Sequence, residues 1–183
     1  MVDYKEAKKA LRKEIKERTA MLDADYCKKA DKVICEKILA LPQYQAAKTV
    51  FAFVNAFGEP NTVPVIEDCW KQGKKICVPR CIDDHTMLVY EIKNMEDLES
   101  GAYGILEPKP ICKLVEADDI DFALIPCVTC DEEGNRLGHG RGYYDRYLEN
   151  AKFFSCMICR RQLMSNNIPI DELDVKPNLV ISD

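Results

Sequence analysis

Phe122-Ala123-Leu124-Ile125-Pro126, and shortly after it Gly134-Asn135-Arg136-Leu137-Gly138-His139-Gly140-Arg141-Gly142-Tyr143-Tyr144-Asp145-Arg146, decide the fold of this chain. The first run is short and apolar and reads as a strand buried on both faces. The second places four glycines within nine residues and gives way to a helical segment. Strand, glycine loop and helix in that order form a cradle for an anion. Glycine removes the Cβ that would keep backbone N–H groups from a ligand, and a helix N-terminus adds partial positive charge. Arg136 and Arg141 carry the same sign. The loop lacks the Gly-Lys-Ser/Thr ending of a Walker A motif, and an ordinary connection rich in turn residues has a similar composition.

Outward from the cradle the pattern alternates. Ala7, Ala10, Leu11, Ile15 and Arg18 recur at helical spacing, and a second amphipathic run carries Ala30, Val33, Ile34, Ile38 and Leu41 before Pro42 closes it. Thr49 to Val54 is rich in β-branched and aromatic residues, a strand that ends in the loop Asn55 to Pro60. A helix fits Thr62 to Gln72 with Gly73 after it, and Lys75 to Pro79 and Met87 to Ile92 are further strands. Residues 93–118 carry turn signals and read as an ordered loop over the sheet edge. A helix over 143–151, a strand over 153–159 and a last strand from Asn178 to Ile181 complete the chain. The expectation is one α/β domain over residues 1–183, a mostly parallel open sheet with helices on both faces in three layers.

Lys and Arg number 26 against 31 Asp and Glu, for a formal charge of −5, and the basic residues are dispersed apart from a cluster near the N-terminus. Nucleic acid is therefore not the expected partner, and small molecules are. The N-terminus is charged and no apolar run approaches the roughly 18 residues of a membrane span, so a cytoplasmic, monomeric protein without a membrane partner is expected. Ten cysteines include two pairs at metal-type spacing, Cys127-x-x-Cys130 and Cys156-x-x-Cys159. The second pair sits in a strand, where residues three apart point to opposite faces, so four converging thiolates are not expected. Reduced, metal-free thiols are the expectation.

Several residues admit two readings. Lys8 and Arg12 share one helix face and could meet one anion, or belong to a solvated basic face. Glu59 follows the first strand at its carboxyl end, where α/β sheets bind ligands, or is a surface turn acid. Asp145 suits the helix start, or a cation bridging bound phosphates. His139 is a loop side chain facing solvent in preference to a general base. No nucleophile elbow, Ser-His-Asp order or acid/base carboxylate pair is evident. Glycine backbone, arginines, a lysine and aspartates are the components of phosphoryl chemistry, which points to a nucleotide with Mg²⁺.

The stretch Pro126 to Leu148 resembles the signature of the 5-formyltetrahydrofolate cyclo-ligase family: Asp131-x-x-Gly134-Asn135-Arg136-Leu137-Gly138-x-Gly140-x-Gly142-Tyr143-Tyr144-Asp145-x-Tyr147-Leu148. Further matches are Lys8-x-x-Leu11-Arg12, Gly58-Glu59-x-x-Thr62, Pro79-Arg80, Tyr103-Gly104-Ile105-x-Glu107-Pro108, and Ile168-Pro169 followed by Asp174. The resemblance implies ATP- and Mg²⁺-dependent conversion of 5-formyltetrahydrofolate to 5,10-methenyltetrahydrofolate through a phosphorylated formyl group. It further implies that Lys8, Arg12, Arg136, Leu137, Gly138, His139, Gly140, Arg141, Gly142, Tyr143 and Tyr144 bind ATP. Val54, Glu59, His139, Gly140, Arg141, Gly142 and Tyr143 would contact the folate, and Asp145 and Asp174 would bind Mg²⁺. A non-catalytic nucleotide or sugar-phosphate binding domain, and a Cys-x-x-Cys metal or redox module, are the competing readings.

Overall fold

The computed structural model describes residues 4–101 and 104–183, so Tyr103 of the sequence match lies outside the described residues. Two helices come first, α1 (Tyr4–Ala20) and α2 (Ala24–Leu39), and Asp23 caps the second by accepting from the Tyr26 N–H at 2.9 Å. Pro42 does not merely close α2. It opens a short helix, α3 (Pro42–Ala46), where its fixed φ and missing N–H suit a first turn. There follow β1 (Thr49–Phe51), α4 (Val63–Lys71), β2 (Lys75–Cys81), β3 (Met87–Ile92), β4 (Leu98–Ser100), β5 (Leu106–Pro108), β6 (Lys113–Leu114) and β7 (Phe122–Ile125). The chain ends with β8 (Thr129–Cys130), β9 (Arg136–Leu137), α5 (Tyr143–Leu148), β10 (Phe154–Ile158) and β11 (Leu179–Ile181).

Seven of these strands form one sheet in the order β11-β10-β7-β1-β2-β3-β6. All pairings from β11 through β2 are parallel, and β3 and β6 add an antiparallel edge. The central strands read as continuous apolar runs because both faces are covered: every residue of β1 and β7 is buried. Strand alternation sorts their side chains into two cores. Val50, Phe122, Leu124 and Cys156 pack with Ile34 and Ile38 of α2, Tyr44 of α3, and Val65 and Ile66 of α4. Phe51, Ala123, Ile125 and Met157 pack on the other side with Ile15 of α1 and Leu148 of α5. The three-layer α/β architecture expected from the sequence is the one observed.

Two segments differ from the sequence reading. Residues 93–118 hold a β4–β5 hairpin and β6, which the sequence reading took for a loop because strands of two or three residues leave too short a pattern to recognise. Between β7 and the glycine loop the chain inserts the β8–β9 hairpin, and α5 stops at Leu148. The hairpin turn is organised by Asp131, whose Oδ1 accepts from the N–H groups of Glu133 at 3.0 Å and Asn135 at 2.9 Å.

Chain order makes β1 the pivot of the sheet. From β1 the chain crosses through α4 to β2 on one side, then returns to β7 on the other and continues outward to β10 and β11. Connections therefore leave β1 and β7 in opposite directions, which opens a crevice beyond their carboxyl ends. The loop carrying Glu59 leaves β1, and the segment leading to the glycine loop leaves β7. Among the described residues, no helix is long and apolar enough to cross a membrane.

Candidate active site

Glu59 is fixed before any ligand arrives. Its Oε2 accepts from the Ala56 N–H at 2.8 Å and its Oε1 lies 3.2 Å from His139 Nε2, so the carboxylate bridges the loop after β1 to the glycine loop. The Glu59 side chain is 11% exposed and that of His139 65%, so the imidazole is the movable partner. The backbone beneath is held by a residue the sequence reading missed. Arg160, just past β10, donates to Gly58 O at 2.9 Å, to Glu59 O at 2.9 Å, and through Nε and Nη2 to both oxygens of Asp31 at 2.8 and 3.0 Å. Burial works against the charged guanidinium, yet its hydrogen bonds to Asp31 outweigh that and raise its pKa. An arginine adjoining another arginine carries no motif, which is why the sequence did not single it out.

The glycine loop is wrapped by arginines. Arg12 Nε donates to Gly138 O at 2.8 Å, joining α1 to the loop. Gly140 has φ +101° and a Cβ there would lie 3.3 Å from Arg12 Cζ; at Gly142, φ +68°, a Cβ would lie 2.8 Å from Arg146 Nη1. Side chains at either position would meet both backbone strain and a guanidinium. His139, Gly140 and Arg141 are exposed on the rim. A turn at 83–85, given no role by the sequence reading, braces this rim: Tyr143 Oη donates to Asp83 O at 2.6 Å, Arg141 pairs with Asp84 at 3.1 Å, and Arg146 Nε donates to His85 O at 2.9 Å.

Four residues of the sequence-derived site lie underneath. Leu137 is buried, and Val54 is buried in the core facing α2 and α4. Tyr144 stacks on Phe51 at 6.0 Å between centroids with the planes 5° apart, and burial pushes its hydroxyl well above the ordinary phenol range. Arg136, its side chain 4% exposed, pairs with Asp145 at 2.5 Å and reaches Pro126 O at 3.4 Å. These four form a floor beneath Gly138 to Tyr143 and Arg12.

Lys8 joins the acidic side of the site. Its Nζ lies 2.6 Å from Asp174 Oδ2 and 2.8 Å from Asp171 Oδ2, and Asp145 Oδ1 accepts from the Val175 N–H at 3.4 Å, so the segment bearing Asp174 lies against Asp145. A cavity of about 30 Å³ lined by Arg136, Asp171, Asp174 and Val175 marks this junction. An open groove of about 610 Å³ runs beside it between Tyr4 and Ala7 of α1, the Asp131 to Asn135 turn, and Asn166 to Pro169. Burial opposes the Lys8 ammonium, but its hydrogen bonds to Asp171 and Asp174 prevail and raise its pKa; the bond from Lys8 is also the largest cause lowering that of Asp171.

Two outcomes follow from this geometry. Arg160→Met leaves Asp31 without its fork and should lower stability by about 3–5 kcal/mol, read as a denaturant midpoint shift, with faster amide exchange over residues 56–60. Lys8→Met should cost about 1 kcal/mol near neutral pH. That difference should shrink in acid, because a depressed Asp171 pKa supplies stability that disappears as pH falls through it. It should also shrink in strong alkali, because a raised Lys8 pKa supplies stability that disappears as pH rises through it. Denaturant midpoints of both proteins across pH check this; a constant difference would show that the pair does not titrate as described.

Most charged groups of the expected site are thus set against another: Lys8 against Asp171 and Asp174, Arg136 against Asp145, Glu59 against His139, while Arg12 donates to the Gly138 carbonyl. The family model of the 5-formyltetrahydrofolate cyclo-ligase family matches residues 4–183. A probable 5-formyltetrahydrofolate cyclo-ligase of Schizosaccharomyces pombe is 32% identical over 187 residues, covering 89% of this chain and 92% of that one. The 5-formyltetrahydrofolate cyclo-ligase of Mus musculus is 30% identical, covering 98% and 95%. The solution structure of Aquifex aeolicus 5,10-methenyltetrahydrofolate synthetase superposes with a TM-score of 0.84 at 26% identity, covering 94% of this chain and 88% of that chain. With its fold, its glycine loop and nearly its whole described length accounted for in this way, the chain belongs to the 5-formyltetrahydrofolate cyclo-ligase family.

Proposed function

We propose that the protein catalyses the ATP-dependent closure of 5-formyltetrahydrofolate to 5,10-methenyltetrahydrofolate, releasing ADP and phosphate. Family membership supports the reaction, and one observation carries the site: Glu59, an acceptor suited to amino-pyrimidine N–H donors, meets the glycine loop across the crevice beyond β1 and β7. A formamide oxygen is a poor leaving group. Transfer of the γ-phosphoryl to it, with loss of ADP, gives an iminium phosphate; N10 of the folate then attacks the activated carbon and phosphate departs as the ring closes. The chain's task is to position these groups and neutralise charge.

In this reading His139 yields Glu59 Oε1 to the pterin, while Gly138 to Tyr143 and Arg12 receive the phosphates. Lys8 turns from Asp174 toward the nucleotide, and Arg136, Leu137, Val54 and Tyr144 support the floor. Asp145 and Asp174 offer hard oxygen donors on adjoining segments, the donor chemistry that suits Mg²⁺. When bound, the ion would supply neutralisation of phosphoryl charge. Lys8 can leave its carboxylates at little cost only when another cation takes its place, which favours joint binding of nucleotide and metal. The functional unit we propose is one domain over residues 1–183, working as a cytoplasmic monomer on small molecules.

The direct test mixes protein, ATP, Mg²⁺ and 5-formyltetrahydrofolate and follows the methenyl chromophore; ATP turnover without the folate would count against the reading. Glu59→Gln should weaken folate binding roughly tenfold or more, since a charge-assisted bond contributes about 1.5–3 kcal/mol, with ATP affinity nearly constant. Equal losses for both ligands would remove Glu59 from the folate site. Asp145→Asn should lower stability through its bond to Arg136 and, separately, raise the Mg²⁺ concentration needed for half-maximal turnover by about tenfold or more. A stability loss with unchanged Mg²⁺ dependence would leave Asp145 as a strut only.

A further inference from the structure

Three sulfurs converge beneath the site. The Sγ atoms of Cys127, Cys130 and Cys159 all lie within 4.8 Å of one another, and all three residues are buried. The sequence reading correctly separated Cys156 from Cys159: the first packs into the core facing α2 and α4, the second into the core facing α1 and α5. That same divergence carries Cys159 onto the Cys127-x-x-Cys130 segment, a convergence invisible to spacing because the partner lies on a neighbouring strand. A buried cysteine alone behaves as a small apolar side chain. Three on one point form a ligand set.

We propose that Cys127, Cys130 and Cys159 form a site for a divalent d¹⁰ cation of the zinc class, acting as a structural staple. Metal–sulfur bonds of about 2.3 Å in tetrahedral geometry place sulfurs about 3.8 Å apart, so the observed cluster needs contraction of about 1 Å at most. Sulfur selects a thiophilic ion and discriminates against Mg²⁺, which sets this site apart from Asp145 and Asp174. Each thiol gives up its proton to solvent as its bond to the cation forms. Three thiolates around a divalent ion leave one negative charge, where a monovalent ion would leave two. The carbonyls of Ile158 and Arg160 already lie 3.5 Å from Cys127 Sγ and Cys159 Sγ, so one of these or a water can complete the coordination.

The staple would join two segments that matter. Cys127 and Cys130 flank the start of the hairpin that leads to Arg136, and Cys159 precedes the arginine that clamps Gly58 and Glu59. The test uses full-length protein, reduced, stripped with chelator and kept anaerobic. It is titrated with Zn²⁺ against a chromogenic chelator, and with Co²⁺ to detect thiolate-to-metal charge-transfer absorption. One equivalent should bind, the melting temperature should rise, and Cys127, Cys130 and Cys159 should become protected from alkylation while Cys27 and Cys35 do not. Cys127→Ala and Cys159→Ala should each weaken Zn²⁺ binding by at least about 100-fold, the upper end of what losing a supporting group alone costs, and Cys156→Ala should leave it unchanged. Absence of competitive Zn²⁺ binding, affinity unaltered by Cys159→Ala, or a Co²⁺ complex without charge-transfer absorption would each overturn the proposal. Should the alanine variants fail to fold, Cys127→Ser and Cys159→Ser serve in their place, and Zn²⁺ affinity and Co²⁺ charge-transfer absorption unaltered by Cys159→Ser would overturn it.

Discussion

The site depends on a guanidinium that is not on its surface. Arg136 enters from β9, is almost wholly buried, and meets Asp145 of α5 at 2.5 Å, while the same carboxylate oxygen accepts from Val175. Three segments are thereby set at one point, with the glycine loop spanning the distance between the first two. A buried ion pair contributes little over an apolar pair of the same shape, but removing one member leaves an uncompensated charge. The pair therefore acts as a register: it admits one arrangement of hairpin, loop and helix and penalises the others. Among the described residues Arg136 Nε has no hydrogen-bond partner, and the guanidinium is held through its Nη atoms.

The remaining charges follow the same rule. In this structure Lys8 and Arg136 lie against carboxylates, and each of Asp174, Asp145 and Glu59 has a side-chain partner. An anionic nucleotide arriving by itself would draw Lys8 away and leave Asp174 and Asp171 facing polyphosphate. A cation arriving by itself would leave Lys8 in excess. A nucleotide and a divalent cation arriving together would exchange partners on both sides and strand no charge, which is the electrostatic reason for proposing a metal-bound nucleotide in preference to either component.

The architecture was largely legible because period and length carried it. The apolar runs of β1 and β7, the helical spacing of α1 and α2, and the glycine loop each state their structure locally. Short edge strands did not, since β6 is two residues long and its place is set by pairing with β3. Site legibility divides along the same line. The structure does bring Glu59 and Arg12 to the glycine loop, as the sequence grouped them, but the sequence could not tell rim from floor, so it did not set Arg136, Leu137, Val54 and Tyr144 apart from the exposed part of the loop. Arg160, Asp171, the 83–85 turn and the meeting of Cys159 with Cys127 and Cys130 depend on strand order, which local pattern does not contain.

Strand order also explains why Arg160 has to be an arginine. It leaves the end of β10, and the loop it holds leaves β1, with β7 between them in the sheet. To cross that interval and satisfy two backbone carbonyls and a bidentate carboxylate, a side chain needs several donors in a fixed plane. Arg160 uses Nε and both Nη atoms for the purpose. A lysine ammonium could hold one or two of these acceptors but would leave others buried without a donor. The clamp fixes the Gly58 and Glu59 backbone, so a substrate that meets Glu59, as proposed above, would not have to order it. The entropy of ordering that loop would be met in folding, by the core beneath β10 and α2, and more of the interaction free energy would remain available for holding the substrate in reacting geometry.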